Sequence, residues 1–352
     1  MLRSRLDKAR QDARIKSWDP NTQIPDLKGK VFVITGGSGG LGLETANNLA
    51  RKGGKVYFTA RSKEKAERAK EYVRSKSPDV AEDQLVWIYL DLGDVVSILR
   101  AVDEIKASTQ RIDVLINNAA TLKDIGKMTD AGWELGMAVC HFGHFIFTNG
   151  LLPVLKKTAA QDDSDVRIIT MSSEAANVYL PENYEFDFTS PSFVSGVLPY
   201  EPWTWRWFQK PLFDVNMVLY ALSKLANALF AQELQRHLDE QGVPIRSLSL
   251  HPGEAGTDGS LSIFAGPFKS LLRQVMLTSD QGSYHTLFAA TAGEIRERAE
   301  KYKGRYMVPM GEVKAVHPVA EDEEQARKLW ETTAAEVDRY LAEIGHGALP
   351  EW

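Results

Sequence analysis

Residues 30–42 read KVFVITGGSGGLG, a short apolar run followed by a glycine-rich turn. Four apolar residues, 31–34, lead into a turn with five glycines and then into a helical pattern. Glycine lets a backbone approach a diphosphate closely, and a helix N-terminus offers free N–H groups to its charge. The stretch therefore predicts a strand, a diphosphate-binding turn and a helix. Its candidate contacts are Thr35, Gly36, Ser38, Gly40, Leu41 and Gly42.

Beyond this turn, short apolar runs alternate with longer helical patterns. The predicted strands are 31–35, 55–60, 85–90, 114–117, 166–171, 245–250 and 305–308. The predicted helices are 41–52, 62–76, 95–107, 130–156 and 217–239. Sustained alternation of this kind is typical of a parallel sheet covered by helices on both faces. We therefore predict an α/β fold built on one open, doubly wound, Rossmann-type parallel sheet.

The chain divides into three parts. Residues 1–27 form a basic N-terminal arm, 28–320 a single Rossmann-type domain, and 321–352 a charged C-terminal helical extension. Two irregular stretches interrupt the domain, an aromatic insertion at about 182–215 and a Gly-, Ser- and Phe-rich segment at about 255–275. Long irregular segments inside a compact domain are usually functional. We expect the first to cover a substrate and the second to act as a flap.

Bulk composition excludes several classes of function. The formal net charge is −5, whereas a nucleic-acid surface needs clustered positive charge, so no nucleic-acid partner is expected. Cys140 is the one cysteine, which excludes an internal disulfide and favours a reducing compartment, the cytoplasm. The sequence has no run of about 20 apolar residues, so no integral membrane span is expected. The basic arm is expected to be a solvated helix.

The end of the second predicted strand indicates which nucleotide is bound. An NAD site usually carries an acid there, which binds the ribose hydroxyls. Residues 59–62 read TARS, so Arg61 can pair with a 2′-phosphate and Ser62 can add a hydrogen bond. These residues favour NADP(H) as the cofactor. Asp91, after the third strand, is a candidate acceptor for the adenine amino group, and Asn118 and Ala119 follow the fourth strand at the expected ligand crevice.

Candidate catalytic side chains lie in the second half of the domain. Tyr220 and Lys224 are four residues apart and share a helix face, where a nearby ammonium lowers the pKa of a phenol. Ser173 ends the fifth strand, at the edge that also carries the glycine turn, and a hydroxyl there can stabilise charge on a carbonyl oxygen. The turn at 251–257 is placed to close over a nicotinamide.

On these residues, the chain resembles the short-chain dehydrogenase/reductase family from about residue 28 to 310, and most of all its retinol-dehydrogenase-like branch with its fungal relatives. The matching positions are Thr35, Gly36, Gly40, Gly42, Asp91, Leu92, Asn117, Asn118, Ala119, Ser173, Tyr220, Lys224, Pro252, Gly253 and Thr257. The resemblance implies that Tyr220 is the acid or base, that Ser173 polarises the carbonyl, and that Lys224 holds the nicotinamide ribose. It also implies lipophilic ketone or aldehyde substrates, and a homodimer through the helices near 130–156 and 217–239.

One position departs from the family pattern. The family places a catalytic asparagine in the helix after the Asn-Asn-Ala motif, and its backbone carbonyl is thought to hold a water that relays protons to the lysine. Here Cys140 stands at that position, in VCHFGHF at 139–145. A thiol is a weak donor and acceptor, so we expect lowered but not abolished redox activity, or a specialised reaction. A small buried thiol that only packs the helix is an equal alternative.

The link between the catalytic serine and tyrosine has 46 residues, far more than a strand-to-helix connection requires. Its aromatic side chains bury large apolar areas, and Trp203, Trp207 and Phe208 are the candidate substrate contacts. Phe264 and Phe268 would form an opposing flap. These residues predict a bulky lipophilic substrate, aromatic or polyketide-like. The alternative is that the aromatics form a satellite core or a subunit contact.

Three functions remain open on the sequence alone. The first is an NADPH-dependent carbonyl reductase or alcohol dehydrogenase. The second is a cofactor-binding protein with reduced activity, which Cys140 favours. The third is a non-redox enzyme of the same fold, a dehydratase, isomerase or cyclase that uses Tyr220 as acid or base. The sequence has neither metal-ligand spacing nor a Gly-x-Ser-x-Gly elbow, so no metal site is expected and acyl transfer is disfavoured.

Overall fold

The structure, a computed structural model, describes residues 2–184, 186–198, 200–210, 213, 215–261 and 276–349, of which 2–8, 191 and 258 are described by their backbone alone. The strands are β1 Val31–Ile34, β2 Lys55–Ala60, β3 Leu85–Tyr89, β4 Val114–Asn117, β5 Val166–Met171, β6 Ile245–Leu250, β7 Tyr306–Val308 and β8 Glu312–Val313. They form one sheet in the order β3-β2-β1-β4-β5-β6-β7-β8. All pairs are parallel except β7 with β8. The predicted doubly wound sheet is confirmed, and the short antiparallel β8 was not predicted.

The strands form where apolar residues run without interruption. Val31–Ile34 and Val166–Met171 are buried at every position, as expected for parallel strands covered on both faces. The strand order reverses at β1, which pairs with β2 on one side and with β4 on the other. In doubly wound sheets this switch point opens a crevice at the carboxyl ends of the strands, where ligands bind.

Helices cover both faces of the sheet. They are α1 Leu2–Ser17, α2 Pro20–Gln23, α3 Gly40–Arg51, α4 Lys63–Lys76, α5 Val95–Ser108, α6 Leu135–Met137, α7 Gly143–Ala159, α8 Ala175–Tyr179, α9 Met217–Glu240, α10 Asp258–Leu261, α11 Ser279–Thr291, α12 Gly293–Glu297, α13 Ala299–Tyr302 and α14 Glu323–Glu343. One core contains side chains of α5, α7, α9 and α14, and the other contains side chains of α3, α4 and α11. Two hydrophobic cores thus hold the sheet between them.

The helix expected at 130–156 differs most from its prediction. It begins at Leu135, where Glu134 caps the first turn. Residues Ala138–Phe142 then form a π-helical turn before α7 continues. Turns of this kind are often found at functional sites, and this one carries Cys140.

The helical stretch Leu135–Ala159 has the length and mean hydropathy to cross a membrane. Within the protein, however, 89% of its apolar window is buried. A helix that is apolar on all sides and surrounded by protein is a core helix. Elsewhere in the described part of the chain, no helix is long and apolar enough for a span.

The N-terminal arm docks on the domain, which corrects the expectation of a solvated helix. Ile15, near the end of α1, is fully buried against Ala255 and Leu277. Trp18 packs on Tyr284 with ring centroids 5.7 Å apart. The sequence did not reveal this contact because α1 is strongly polar on average and its apolar residues are few. The arm therefore supports the loop that follows β6.

The C-terminal extension is part of the core, because α14 packs across α7 and α9. Trp330 stacks on Phe230 with centroids 5.8 Å apart and meets Phe145 edge-on at 4.9 Å. His141 Nε2 lies 2.8 Å from the hydroxyl of Thr333. The homodimer expected through α7 and α9 would therefore have to form around α14, which already covers part of both helices.

Docking of the arm can be tested by truncating one side chain. Ile15→Ala should lower the free energy of unfolding by about 2–4 kcal/mol, because it leaves a cavity between α1 and the loop after β6. Denaturant unfolding followed by circular dichroism measures the change. The control is Ile344→Ala, at a position 37% exposed, which should cost less than about 1 kcal/mol. Equal losses in the two variants would contradict docking.

Candidate active site

A cavity of about 1010 Å³ opens at the carboxyl ends of the central strands. The predicted site residues on its wall are Gly36, Ser38, Gly40, Leu41, Gly42, Arg61, Asp91, Leu92, Asn118, Ala119, Ser173, Tyr220, Lys224, Pro252, Gly253 and Thr257. The predicted residues that do not line it are Thr35, Ser62, Trp203, Trp207 and Phe208. Among the described residues, no three His, Cys, Asp or Glu side chains are grouped to hold a metal ion.

The glycine turn has the shape that a bound diphosphate requires. Gly36 and Gly40 have φ of +67° and +54°, a backbone region that other residues rarely adopt. A Cβ on Gly42 would lie 2.5 Å from the carbonyl oxygen of Gly36. Gly39 precedes α3 without a side-chain cap, and the space where its Cβ would lie is open. The first N–H groups of α3 are thus available to an anion, so the turn fits a dinucleotide.

Thr35 lies behind this turn and not on the cavity wall. It is fully buried, and its hydroxyl oxygen accepts the backbone N–H groups of Asn118 and Ala119, each at 2.9 Å. The Asn118 side chain donates to the Thr35 carbonyl oxygen at 2.8 Å. These bonds fasten the end of β1 to the end of β4. Thr35 therefore positions the turn and does not itself face the cavity.

Two cationic side chains lie on the wall beyond the end of β2. Arg61 was predicted from the sequence. Lys65, which was not predicted, lies beside it on the wall. Ser62 is the N-cap of α4, and its hydroxyl accepts the Lys65 N–H at 3.3 Å, so it acts at the helix start. The capping pattern could have predicted Lys65, because the residue three positions after an N-cap lies in the first turn of the helix, close to the cap.

Asp91 and Leu92 lie on the wall after β3, as predicted. Asp91 Oδ1 accepts the Gly93 N–H at 3.0 Å, and the Asp91 N–H donates to Ser97 Oγ at 2.9 Å. These two bonds fix the carboxylate at the cavity edge. A carboxylate has further lone pairs with which to accept from an adenine amino group.

The turn after β6 lies against the glycine turn. A Cβ on Gly40 would meet the Thr257 side chain at 3.3 Å. On its other side, a Cβ on Gly253 would meet Ile15 at 2.8 Å. The Pro-Gly turn is therefore held between the docked arm and the nucleotide turn, at the position expected of a cover.

Tyr220, Ser173 and Lys224 come together on one part of the wall. The Ser173 hydroxyl is close enough to Tyr220 to influence the pKa of its phenol, and Lys224 Nζ lies 5.6 Å from the centre of the Tyr220 ring. Lys224 is buried and donates to the Met171 carbonyl oxygen at 3.1 Å, an oxygen that Asn227 also reaches at 2.9 Å. The phenol, the hydroxyl and the ammonium thus share one pocket.

Burial dominates the acidity of this group. It raises the pKa of Tyr220 above its ordinary value, the neighbouring Cys140 raises it further, and the nearby Ser173 hydroxyl acts the other way. Burial also lowers the pKa of Lys224. The pKa of the Tyr220 phenol is thus raised by burial, whereas the pairing with Lys224 was expected to lower it. Tyr220 holds its proton at neutral pH and is ready to donate it.

Cys140 lies beside the catalytic group, at the position that the resemblance indicated. It is fully buried in the π turn. Its proximity adds to the rise in the pKa of Tyr220 and opposes the fall that burial causes in the pKa of Lys224. The two interpretations of Cys140, an influence on proton transfer and simple packing, therefore both remain.

The aromatic insertion does not bring the predicted substrate contacts to the cavity. Trp203, Trp207 and Phe208 are 64%, 71% and 66% exposed. Trp205 is buried instead and packs edge-on against Tyr179, with ring centroids 6.0 Å apart. Tyr179 in turn lies on the wall. Trp205 belongs to the core that also contains side chains of α7 and α9, and Tyr179 packs against that core, so this part of the insertion extends the main core and does not form the satellite core that the sequence offered as an alternative.

The cavity wall also contains apolar and acidic side chains that the sequence did not single out. The apolar members include Leu122, Val178, Tyr179, Met217, Met276 and Leu277. Glu174 and Glu254 supply carboxylates, and Glu174 accepts from the Tyr306 hydroxyl at 3.3 Å. The sequence did not identify Glu174, because its partner comes from β7, far along the chain. The predicted flap residues Phe264 and Phe268 lie outside the described residues.

Comparison with known sequences identifies relatives over most of the chain. The profile of the short chain dehydrogenase family matches residues 30–185. A short-chain dehydrogenase/reductase of Colletotrichum higginsianum is 41% identical over 91% of this chain and 77% of its own length. Mouse retinol dehydrogenase 13 is 33% identical over 92% of this chain and 87% of its own length.

Solved structures share the fold. An uncharacterised protein of Mycobacterium paratuberculosis is 28% identical and superimposes with a TM-score of 0.63 over 91% of this chain and 97% of that one. A short-chain dehydrogenase of Escherichia coli CFT073, solved with NADPH, has a TM-score of 0.56 at 21% identity over 80% and 97% of the two chains. A 3-ketoacyl-(acyl-carrier-protein) reductase of Brucella melitensis, solved with NADH, has the same score at 19% identity over 80% and 96%.

The contact between Cys140 and the phenol can be tested by titration. Cys140→Asn should lower the pKa of Tyr220, because it replaces an ionisable thiol by a neutral amide. The ultraviolet absorbance of tyrosinate against pH, with the Tyr220→Phe curve subtracted, isolates this one phenol. Cys140→Ser, also neutral, is the control for size and should shift the curve in the same direction. Superimposable curves for wild type and Cys140→Asn would reject the contact.

Proposed function

This chain belongs to the short-chain dehydrogenase/reductase family, and we propose that it is an NADP(H)-dependent oxidoreductase. It would reduce a ketone or aldehyde of a bulky, mostly apolar substrate, or oxidise the corresponding alcohol. The observation that carries the proposal is the convergence of Tyr220, Ser173 and Lys224 on the wall of the cavity that also contains the glycine turn. A proton donor, a carbonyl partner and a dinucleotide turn are the parts that such a reaction needs.

The side chains have separable tasks in this reaction. Ser173 Oγ accepts the Ala175 N–H at 3.1 Å, which leaves its own proton to donate. Ser173 would then donate to the substrate carbonyl oxygen, and Tyr220 would protonate that oxygen as charge develops. Lys224, held by the Met171 carbonyl, would bind the nicotinamide ribose. The bound nucleotide would supply or accept the hydride.

The preference for NADP(H) is supported by charge on the wall. Arg61 and Lys65 both line the cavity beyond β2, and residues 59–62 contain no acid to bind a ribose 2′-hydroxyl. Two cations beside the N-terminus of α4 suit a 2′-phosphate, which an NAD site would repel. Structures of this fold contain NADPH in one case and NADH in another, so the fold itself does not decide.

The nucleotide preference can be tested on the two cations. Arg61→Ala combined with Lys65→Ala should weaken NADPH binding by about 10- to 100-fold, as expected for loss of charge-assisted hydrogen bonds. NADH binding should change by less than about threefold. The control is Lys63→Ala, an exposed cation of the same helix that is not on the wall. Fluorescence titration gives each affinity. Equal losses for the two nucleotides would contradict the assignment.

A bulky apolar substrate is supported by the wall next to the catalytic group. Tyr179, Val178 and Met217 offer apolar surface there, and Glu174 offers an acceptor for a substrate hydroxyl or N–H group. Such a site binds a large apolar body and orients it by a few polar contacts. The substrate we propose is therefore an aromatic or polyketide-like ketone that also carries a hydrogen-bond donor.

A second candidate is a protein that binds NADP(H) but turns over slowly. Cys140 in place of the family's asparagine favours it, as does the raised pKa of Tyr220, which disfavours the phenolate needed for alcohol oxidation.

A dehydratase, isomerase or cyclase that uses Tyr220 without net redox change is distinguished by product analysis with and without nucleotide. The cytoplasmic location and the lack of a nucleic-acid partner stay predictions.

The proposed reaction is tested with a panel of carbonyl compounds. Wild-type protein should oxidise NADPH in the presence of bulky aromatic ketones, and Tyr220→Phe should be slower by at least about 100-fold, because it lacks the proton donor. Absorbance of NADPH follows the reaction, and nucleotide affinity of the variant serves as the folding control. Turnover of small polar aldehydes alone would reject the substrate class, and full activity of Tyr220→Phe would reject the mechanism.

A further inference from the structure

His144 makes two hydrogen bonds from one buried ring and has no place in the mechanism above. Its side chain is 1% exposed. Its Nε2 lies 2.8 Å from the hydroxyl oxygen of Thr35, and its Nδ1 lies 2.9 Å from the carbonyl oxygen of Cys140. The ring thus connects the end of β1, from which the glycine turn starts, to the π turn of Ala138–Phe142.

The partners of Thr35 decide which ring nitrogen carries the proton. A hydroxyl has one proton to donate and two lone pairs. Asn118 and Ala119 both donate to this oxygen at 2.9 Å, so the lone pairs are occupied. The alternative acceptor for the hydroxyl proton, the Ile116 carbonyl oxygen, is farther away at 3.5 Å. The proton therefore goes to Nε2 of His144, and Nδ1 carries the ring proton that is donated to the π turn.

This arrangement requires a neutral ring. Burial, aided by the charge of Lys224 and opposed by the bond to Cys140, lowers the pKa of His144 to about 4. The adjacent His141 is neutral as well, since burial lowers its pKa to about 3. His144 can thus accept from Thr35 and donate to Cys140 throughout the neutral pH range. A protonated ring would have a donor at both nitrogens and would lose the bond from Thr35.

Each end of this connection meets a group that belongs to the site. Thr35 fastens the glycine turn to the end of β4, and Cys140 lies beside Tyr220. The helix is also seated closely at this point, because a Cβ on Gly143 would lie 2.6 Å from the Leu92 carbonyl oxygen. A shift of the π turn would therefore move groups beside the catalytic phenol and at the nucleotide end of the cavity.

We propose that His144 is a positioning residue that couples the nucleotide turn, through Thr35, to the π turn that holds Cys140 beside Tyr220. Loss of the Thr35 contact loosens the amides of Asn118 and Ala119. Loss of the Cys140 contact lets the π turn move relative to the phenol. The effect on catalysis rests on the proposed function, whereas the coupling itself is a property of the protein alone.

Two substitutions separate the halves of this connection. A glutamine amide reaches the position of Nε2, so His144→Gln keeps the contact with Thr35 and gives up the contact with Cys140. An asparagine amide reaches only the position of Nδ1, so His144→Asn does the reverse. The matched control is His141→Gln, because His141 is an equally buried histidine that lies in the π turn, three residues before His144, and its Nε2 meets Thr333 of α14.

Hydrogen–deuterium exchange of peptides covering residues 117–120 is the primary measurement. His144→Asn should speed exchange there by about fivefold or more, as expected when a buried hydrogen bond is lost. His144→Gln, the conservative rescue, and His141→Gln should stay within about twofold of wild type. NADPH affinity should fall by about fivefold in His144→Asn alone. The pH profile of ketone reduction should shift in His144→Gln, because the π turn beside Tyr220 is released.

Two results would overturn the coupling. One is unchanged exchange at residues 117–120 in His144→Asn, and the other is an equal increase in His141→Gln. Exchange needs neither nucleotide nor substrate, so this failure is distinct from failure of the proposed function. The latter would show as a wild-type protein that does not bind NADPH, while faster exchange in His144→Asn would still support the coupling.

Discussion

Parallel pairing of β1, β4, β5 and β6 determines where the site forms. It brings the carboxyl ends of these strands to one edge of the sheet, with neighbouring strands about 4.8 Å apart. The catalytic helix α9 is tied to that edge, because Lys224 and Asn227 donate to the Met171 carbonyl and Ser172 donates to the Lys224 carbonyl at 2.7 Å. Tyr220 thus meets Ser173, which comes from a different element 47 residues away.

Most of the sheet could be predicted from the sequence, because parallel strands buried on both faces appear as plain apolar runs. The strands β2, β4, β5 and β6 have the predicted bounds. The short β8 has no such run, since it is an edge strand of two residues. Docking of the arm through Ile15 was also missed, because one apolar contact with a distant loop leaves no periodic pattern.

Site residues that directly follow a strand could be predicted from the sequence. Residues whose role depends on packing were harder to predict. The glycine turn, Asp91, Ser173 and Tyr220 were found by position alone. The roles of Thr35 and Ser62 changed from cavity contacts to positioning, because a hydroxyl near a turn is often taken up by backbone N–H groups. The exposed tryptophans of the insertion show that aromatic content alone does not predict which residues line a substrate cavity.

We propose that one cavity brings a dinucleotide, a proton donor and a carbonyl carbon into reacting positions. Transfer of deuterium to a bulky aromatic ketone from NADPH that carries deuterium at both nicotinamide C4 positions is the direct test. We expect the label on the carbinol carbon of the product with wild-type protein, and at least about 100-fold less product with Ser173→Ala. Label-free alcohol, or equal transfer by Ser173→Ala, would rule out hydride transfer at this site.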